Sequence, residues 1–235
     1  MISIIIPAHN EIKNLKRLLP LLVNLCNNEE AEIIVALSSE NSDETKVVLN
    51  QEKVQFLKCL KKGRAVQMNS AAKIVKGDVL VFLHADVLPP KYFLSNIRTA
   101  LKEVYEAGFF SYRFDNDSFL LRINAFFTGK SGFFTGGGDQ CLFIKKSTFD
   151  RLNGFDENQC LMEDFEFFER MKENQIQYTI IQNDLIVSSR KYECNSYLRV
   201  NLSNLVLVIL FKLGYPAKKL KSIHNKLIRS SYQKA

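Results

Sequence analysis

Three short apolar runs constrain the fold of this chain more than any other feature. They are rich in isoleucine, valine and leucine and occupy residues 2–6, 32–37 and 78–83. Near-continuous apolar runs of this length are typical of parallel strands that are covered on both faces. Helical patterns lie between and after them, at 10–26, 63–75 and 90–105. This alternation predicts an α/β fold in which helices flank an open parallel sheet.

The second half of the chain changes character. Residues 109–114 and 178–188 predict strands, residues 162–173 predict a helix, and a glycine-dense stretch covers 132–138. Two further helical patterns, at 197–211 and 216–232, close the chain. Since no linker, repeat or low-complexity segment interrupts the pattern, we predict one domain, residues 1–192, with a helical tail, residues 193–235, packed on it. Within the first helical pattern, Pro20 is expected to kink or shorten the helix.

The net charge of +7 is unevenly distributed. Residues 190–235 contain ten Lys and Arg against one acid, so this segment carries +9 and the rest of the chain −2. Because the cations alternate with leucine and isoleucine at helical spacing, we interpret the tail as amphipathic helices with a solvated basic face. Contact of residues 197–232 with an anionic membrane, or a homodimer interface, stays open. A nucleic-acid partner is not predicted, because few aromatic residues accompany the cations.

The cysteines and the hydropathy pattern bear on the compartment. Five cysteines form no C-x-x-C pair, which argues against a zinc site or a disulfide framework and favours a reducing compartment. A basic segment with a cleavage site is not seen after Met1, and no apolar stretch approaches the ~20 residues of a membrane span. We therefore expect a cytoplasmic protein, at most peripheral on the inner membrane face.

Polar residues follow each of the three apolar runs. The clusters are Pro7-Ala8-His9-Asn10-Glu11, the segment 38–43 and His84-Ala85-Asp86. Ligands of open α/β sheets bind beyond the carboxyl ends of the strands. The three clusters therefore predict a nucleotide pocket at one edge of the sheet.

The motifs at this edge resemble those of family 2 glycosyltransferases. They occur in the order that this family shows: IIIPAHNE (4–11), KGRAVQMN (62–69), LHAD (83–86), GDQ (138–140), GF (154–155) and MED (162–164). The resemblance covers about residues 2–192. It is closest to a bacterial subgroup with GRAxQMN, LHAD, GDQ and MED motifs, whose members are often labelled arsenosugar-biosynthesis glycosyltransferases.

This resemblance implies the GT-A fold, a Rossmann-like open mixed sheet flanked by helices, with the helical tail added at the C-terminus. It also implies transfer of a sugar from a nucleoside-diphosphate sugar, UDP- or GDP-linked, to a hydroxyl acceptor, with inversion and with Mg²⁺ or Mn²⁺. The segment at Arg190 lacks the tryptophan of processive members, so a non-processive enzyme is expected.

The resemblance assigns metal binding and catalysis to particular residues. Asp86 is the expected ligand of Mg²⁺ or Mn²⁺, since hard cations prefer carboxylate and phosphate oxygens; its alternative is a helix cap. His84 stands where the family has its first aspartate, and either contacts the ribose or the metal or is structural. Asp164, with Glu163 second, is the expected general base that takes the proton of the acceptor. Both acids could instead only complement a helix N-terminus.

The remaining residues are expected to contact the nucleotide sugar. Pro7, Asn10 and Glu11 are expected at the base and ribose, although Asn10 could cap the first helix. Glu40, or Asp43, takes the place of the family's base-contacting aspartate. A helix N-terminus with basic residues suits a diphosphate. The other predicted contacts are Arg64, Gln67, Asn69, Ala85, Gly138, Asp139, Gln140 and Arg190.

Two other functions stay open at this point. A catalytically silent sugar-nucleotide-binding protein is compatible with His84 and with the missing aspartate after the second strand. A sugar-phosphate nucleotidyltransferase would need a glycine-rich, basic loop directly after the first strand, and residues 7–10 do not provide one.

Overall fold

The structure is a computed structural model that describes residues 1–27, 29–42, 53–132 and 135–228. Its first part comprises β1 (Ile2–Ala8), α1 (Ile12–Leu25), β2 (Ala31–Leu37), β3 (Val54–Lys58), α2 (Arg64–Ala72) and β4 (Val79–Phe82), and the sequence predicted all of these elements except β3. The middle part comprises β5 (Val87–Leu88), α3 (Phe93–Lys102), β6 (Ala107–Phe114), α4 (Phe119–Thr128), a 3-10 turn (Gly138–Gln140) and β7 (Leu142–Lys145). The last part comprises α5 (Lys146–Arg151), α6 (Glu163–Glu173), β8 (Tyr178–Val187), α7 (Arg190–Glu193), α8 (Tyr197–Lys212) and α9 (Ala217–Leu227).

Within the described residues, eight strands form one sheet in the order β3-β2-β1-β4-β7-β6-β8-β5. The first four in this order are mutually parallel, and the apolar runs predicted three of them, β1, β2 and β4. Strand β7 enters antiparallel to both β4 and β6, while β6 and β8 are parallel. The whole sheet is therefore mixed, which corrects the prediction of an all-parallel sheet and agrees with the fold implied by the family motifs.

Both faces of the sheet are covered at β1, which explains why this strand is almost entirely apolar. On one face Ile4 and Ile6 of β1 pack with Leu15 and Leu18 of α1. On the other face Ile5 packs in a second cluster under α2. Each such side chain, when fully buried, contributes about 1.5–3 kcal/mol to the stability of the folded chain. Because strand β1 contributes side chains to the hydrophobic core on each face of the sheet, it cannot alternate apolar with polar residues.

The first helix differs from its prediction in two ways. It continues through Pro20 to Leu25, so the prediction of a shortened helix is wrong. Leucines on both sides of the proline, Leu18 and Leu22, are fully buried and hold the two halves against the sheet. The N-cap is Glu11 and not Asn10, because Asn10 lies one residue earlier with a left-handed φ of 55°.

The two C-terminal helices pack against each other. Arg199 Nε of α8 donates to the carbonyl oxygen of Leu227 at the end of α9, at 2.6 Å, and Val200, Leu207 and Leu220 are buried. The last residues of the predicted tail, after 228, lie outside the described residues. None of the helices in the described ranges has the length and apolarity that crossing a membrane requires.

Candidate functional site

The carboxyl ends of the central strands meet at one edge of the sheet, as the sequence predicts. In the parallel register Ala8 of β1 lies beside Leu37 of β2, and Ile5 lies beside Phe82 of β4. The turn 84–86 follows β4 directly. Side chains from four separate parts of the chain converge at this edge.

Five ionisable side chains form what we call the charged cluster: Arg64, His84, Asp139, Glu163 and Asp164. Arg64 Nε donates to Glu163 Oε1, and Arg64 Nη2 lies 3.7 Å from Asp164 Oδ2. Arg64 Nη1 lies 3.3 Å from His84 Nε2. His84 Nδ1 lies 3.4 Å from Asp139 Oδ1. The first residue of α2 thereby connects the turn after β4 with the first residues of α6.

Glycine at position 138 makes this convergence possible. A Cβ atom there would lie 2.4 Å from His84 Cε1 and 2.5 Å from Asp164 Oδ2, closer than side-chain atoms approach one another. Only a residue without a side chain lets the backbone of the 3-10 turn lie against both groups. Gly138, predicted to border the donor, therefore has a packing role that the structure makes explicit.

The surroundings of the two neighbouring acids of α6 shift their pKa values in opposite directions. Burial raises the pKa of Asp164 from its ordinary value of 3.8 to about 6, and the charge of Glu163 adds to this, although Arg64 opposes it. Burial also acts to raise the pKa of Glu163, but the charge and the hydrogen bond of Arg64 outweigh it and lower that pKa. Glu163 is therefore held ionised, and Asp164 is the acid that binds a proton near neutral pH.

His84 and Asp139 form a second pair within the charged cluster. Burial and Arg64 lower the pKa of His84, but the hydrogen bond to Asp139 and the charges of Asp164 and Asp139 outweigh them and raise it. Burial opposes the ionisation of Asp139, yet the hydrogen bond from His84 and the charge of Lys191 lower its pKa overall. The sequence placed both residues at the site but did not predict that they pair.

A second polar group lies beside the cluster and contains the predicted metal ligand. Arg190 Nη2 lies 3.0 Å from Asp86 Oδ2 and 3.2 Å from Glu11 Oε1. Glu11 Oε2 also accepts a hydrogen bond from Asn14 Nδ2 at 2.5 Å. Two carboxylates from the turns after β1 and β4 thus converge on one guanidinium nitrogen.

These donors fit a divalent cation only in part. Within the described ranges, His, Cys, Asp and Glu form no group of three or more that could hold a metal ion. Mg²⁺, however, is commonly bound by one or two carboxylates together with phosphate oxygens of the substrate. Asp86 and Glu11 supply two such carboxylates, and both lie within 3.2 Å of the same atom, Arg190 Nη2. The residues present therefore fit an ion whose coordination is completed by a diphosphate.

Gln67 and Asn69, which are predicted to contact the nucleotide, bind the protein backbone in this structure. Gln67 Nε2 donates to the carbonyl oxygens of Ala8, at 2.9 Å, and Ala36, at 2.6 Å. Asn69 Nδ2 donates to Phe155 O at 2.8 Å, and Asn69 Oδ1 accepts from Phe155 N at 2.9 Å. These amides fix α2 to the ends of two strands and to the turn at 154–155. Their observed contacts are those of positioning residues.

Asn10 and Glu40 occupy the rim of the same edge. The amide N–H of Asn10 donates to Asn41 Oδ1 at 2.8 Å, and Asn10 Oδ1 accepts from the N–H of Ser42 at 2.9 Å. Glu40 is paired with Lys62 at 2.6 Å, and the hydrogen bond from Lys62 lowers the pKa of this carboxyl. Asp43, the alternative to Glu40, lies outside the described residues.

Three further residues predicted to contact the nucleotide sugar are buried in the sheet and its adjoining turns. Pro7 lies within β1 and Ala85 within the turn after β4, and both are buried. Gln140 Oε1 accepts from the N–H of Gly136 at 2.9 Å, and Gln140 Nε2 donates to Thr128 O at 2.9 Å. Gln140 thus ties the glycine-rich segment to the end of α4.

Residues 3–153 match the family model described as Glycosyl transferase family 2. The chain belongs to this family. The matched region includes Asp86 and the first three members of the charged cluster, and it ends before the acid pair of α6. The family 2 assignment therefore rests on the sheet and its edge, and not on Glu163 and Asp164.

A curated relative is "Probable glycosyltransferase YdaM" of Bacillus subtilis (strain 168), which is 29% identical over 116 residues. This alignment covers 46% of the chain and 28% of the relative, so the chain spans little more than a quarter of that protein.

Two solved structures show the same fold at low identity. One is the mannosyltransferase PcManGT from Pyrobaculum calidifontis in complex with GDP-Man and Mn²⁺, with a TM-score of 0.68, 15% identity and coverage of 96% of this chain and 68% of that chain. The other is S. aureus TarS 1-349 in complex with UDP-GlcNAc, with a TM-score of 0.65, 14% identity and coverage of 96% and 71%. The open mixed sheet flanked by helices is therefore the GT-A fold.

Proposed function

We propose that this family 2 member is an inverting, non-processive glycosyltransferase that moves a sugar from a UDP- or GDP-linked donor to a hydroxyl acceptor. The observation that carries the proposal is the acid pair of α6, in which Arg64 binds Glu163 while the pKa of Asp164 is about 6. A general base works best when its pKa lies near the working pH. Asp164 meets this requirement at the edge where GT-A proteins bind ligands.

Asp164 accepts the proton of the acceptor hydroxyl in the proposed reaction. The hydroxyl oxygen forms a bond to the anomeric carbon on the face opposite the nucleotide, and the bond from that carbon to the diphosphate oxygen breaks with its electron pair. Glu163 is unsuited to the same role, because its side chain is 2% exposed and is bound to Arg64. Asp164, at 12%, is the more accessible acid.

Arg64 serves both the acid pair and the donor in this proposal. Its guanidinium is committed to Glu163, but 40% of the side-chain surface is exposed at the open edge. It is also the first residue of α2, whose unpaired N–H groups favour an anion. These properties support a position beside the diphosphate.

Asp86 is the residue that would hold Mg²⁺ or Mn²⁺ in this enzyme. When bound, such an ion neutralises charge that develops on the diphosphate leaving group. The convergence of Asp86 and Glu11 on a cationic nitrogen supports this assignment, as does the Mn²⁺ in the PcManGT complex. Arg190 adds a positive charge at the same place.

The origin of the cluster residues supports membership in the subgroup with GRAxQMN, LHAD, GDQ and MED motifs. Arg64 comes from the first motif, His84 from the second, Asp139 from the third, and the acid pair from the fourth. Since four distant motifs supply one set of interacting side chains, we propose that they form a single functional unit. We also propose the division into a domain, 1–192, and a tail, 193–235, because all four motifs lie within residues 1–192.

The thiols support a reducing, cytoplasmic location. The five cysteines, which all lie within the described residues, are free, and Cys26, Cys59 and Cys141 are buried. Burial raises the pKa of Cys26 to about 11, which keeps this thiol protonated and unreactive.

Calorimetric titration with UDP and GDP, with and without Mn²⁺, tests the proposal on the wild type and on Asp86→Ala. We expect one nucleotide to bind tightly, with a requirement for Mn²⁺ and for Asp86. The matched control is Asp150→Asn, a substitution of an exposed acid on α5, which should leave binding unchanged.

Release of nucleoside diphosphate from a panel of UDP- and GDP-sugars then tests for chemistry. Binding without turnover of any donor would favour the catalytically silent protein. Failure of both nucleotides to bind would refute the assignment of a nucleotide-sugar donor.

A further inference from the structure

Helices α4 and α8 expose large apolar side chains outside the site. The exposed fraction is 64% at Phe126, 61% at Phe127, 68% at Leu198 and 59% at Leu202. Apolar side chains that are exposed singly are common, but a contiguous patch marks a surface that contacts a partner or a membrane. The contacts between the two helices decide whether this patch is contiguous.

Helices α4 and α8 are neighbours. Asn124 Nδ2 donates to Asn201 Oδ1 at 2.9 Å, and Tyr197 Oη donates to Asn124 Oδ1 at 2.8 Å. Residues three and four positions from a contact share its helix face. Four exposed residues therefore flank the two asparagines, and we call them the apolar surface: Leu120, Phe127, Leu198 and Leu205.

Within helices α4 and α8 themselves, the charged residues are all cations. Residues 119–132 contain Arg122 and Lys130 and no acid, and no Asp or Glu follows Glu193. Lys130 Nζ lies 4.3 Å from the ring centre of Phe126, and α9, which packs on α8, exposes Lys218 and Lys219. Apolar residues bordered by cations are typical of segments that lie in the interface of anionic membranes.

We propose that the apolar surface docks the chain on an anionic membrane, with its side chains in the interface and the lysines of α9 at the lipid phosphates. A symmetric dimer through the same surface would bring two copies of one cationic segment together, because such an interface repeats the same patch on both subunits. Anionic lipid complements that charge instead. The charge pattern therefore favours the membrane over a second copy of the chain.

The docked helix borders the site. The last residue of α4, Thr128, accepts a hydrogen bond at its carbonyl oxygen from Gln140 Nε2, and Gln140 is the residue after Asp139 of the charged cluster. Docking through α4 would therefore place the open edge of the sheet close to the lipid surface.

Vesicle flotation tests this proposal with the full chain. We expect enrichment on vesicles of phosphatidylcholine and phosphatidylglycerol, at roughly three to one, and little on phosphatidylcholine alone, with a loss of binding as salt rises. Phe127→Ser combined with Leu198→Ser should weaken partitioning by about tenfold or more. Lys218→Gln and Lys219→Gln should weaken it roughly fivefold for each lysine removed.

The matched control is Val104→Ser, because Val104 is 71% exposed but lies after α3, outside the apolar surface. This variant should bind vesicles like the wild type. Urea unfolding of each variant establishes that it is folded. We expect little loss of stability, because the replaced side chains are exposed.

Absence of enrichment of the wild type on anionic vesicles would overturn the proposal. Undiminished binding of the serine double variant would overturn the assignment to the apolar surface. A dimer in sedimentation velocity that the serine double variant dissociates, without vesicle binding by the wild type, would assign the surface to self-association and overturn the membrane proposal.

Discussion

Replacing Asp164 by asparagine should stabilise the folded chain while it removes the activity. Asparagine keeps the size of the side chain and removes a charge that is 12% exposed and adjacent to the ionised Glu163. The burial that raises the pKa of Asp164 to about 6 is a cost to folding whenever Asp164 is ionised. The variant does not bear this cost.

The size of the effect follows from the pKa shift. A rise from 3.8 to about 6 corresponds to about 3 kcal/mol of unfavourable free energy for the ionised form. Below the lower value both folded and unfolded chains hold the proton, so wild type and variant should be about equally stable. As the pH rises from 3.8 to about 6, the folded chain keeps the proton that the unfolded chain releases, and the wild type loses stability. The advantage of the variant should therefore grow across this window and stay constant above it.

Urea unfolding at a series of pH values measures this difference. The control, Asp150→Asn, replaces a side chain that is 57% exposed and should change stability by no more than about 0.5 kcal/mol at any pH. In parallel, donor turnover by Asp164→Asn should fall by about a hundredfold to ten-thousandfold, the usual contribution of a general base.

A folding cost from ionised Asp164 is refuted if Asp164→Asn is no more stable than the wild type near pH 8, or if its gain in stability is the same near pH 4. Either result would mean that Asp164 is not destabilised by burial beside Glu163. Retention of full turnover by a folded variant would exclude Asp164 as the base.

Three further predictions concern the same edge. Arg64→Met should move the acid limb of the pH–rate profile to higher pH, since the guanidinium lowers the pKa of both acids; an unmoved limb in the pH dependence of donor turnover would contradict this. Gly138→Ala should cost about 1–3 kcal/mol in urea unfolding through overpacking, whereas Gly132→Ala, whose added Cβ meets no atom of the described residues within 4 Å, should be near neutral. Arg190→Gln should tighten Mn²⁺ binding in calorimetry, because it leaves two carboxylates that repel each other without their shared cation; unchanged or weaker binding would count against a metal site there.

Three of the four strands in the parallel half could be predicted because their signal is local. Each of the three apolar runs is visible in five or six residues, and burial on both faces follows from the run itself. Strand β3 has no such run and was not predicted. Strand β7 has only four residues, and its antiparallel pairing with β4 joins residues 60 to 66 positions apart. No local pattern specifies such a pairing, so the mixed character of the sheet came from the family motifs alone.

The sequence motifs identified side chains that meet at this edge, but not the contacts between them. The motifs identified Arg64 and Glu163 separately, but their hydrogen bond joins residues 99 positions apart. The side chains of Gln67 and Asn69 sit in the same motif as Arg64, and sequence does not distinguish an amide that binds a ligand from one that binds a backbone carbonyl. The structure makes that distinction, because both amides have backbone partners within hydrogen-bond distance.

The single amide of Gln67 bridges the carbonyl oxygens of Ala8, the last residue of β1, and Ala36, the last but one of β2. This joint ties two adjacent strands, near their carboxyl ends, to α2, and none of the three can shift toward a ligand without breaking a buried hydrogen bond. Adaptation to one nucleobase or another must then come from the residues beyond the joint, among them Asn10, Asn41 and Ser42. Donor preference in such a framework can change by substitution in the loops while the sheet stays as it is.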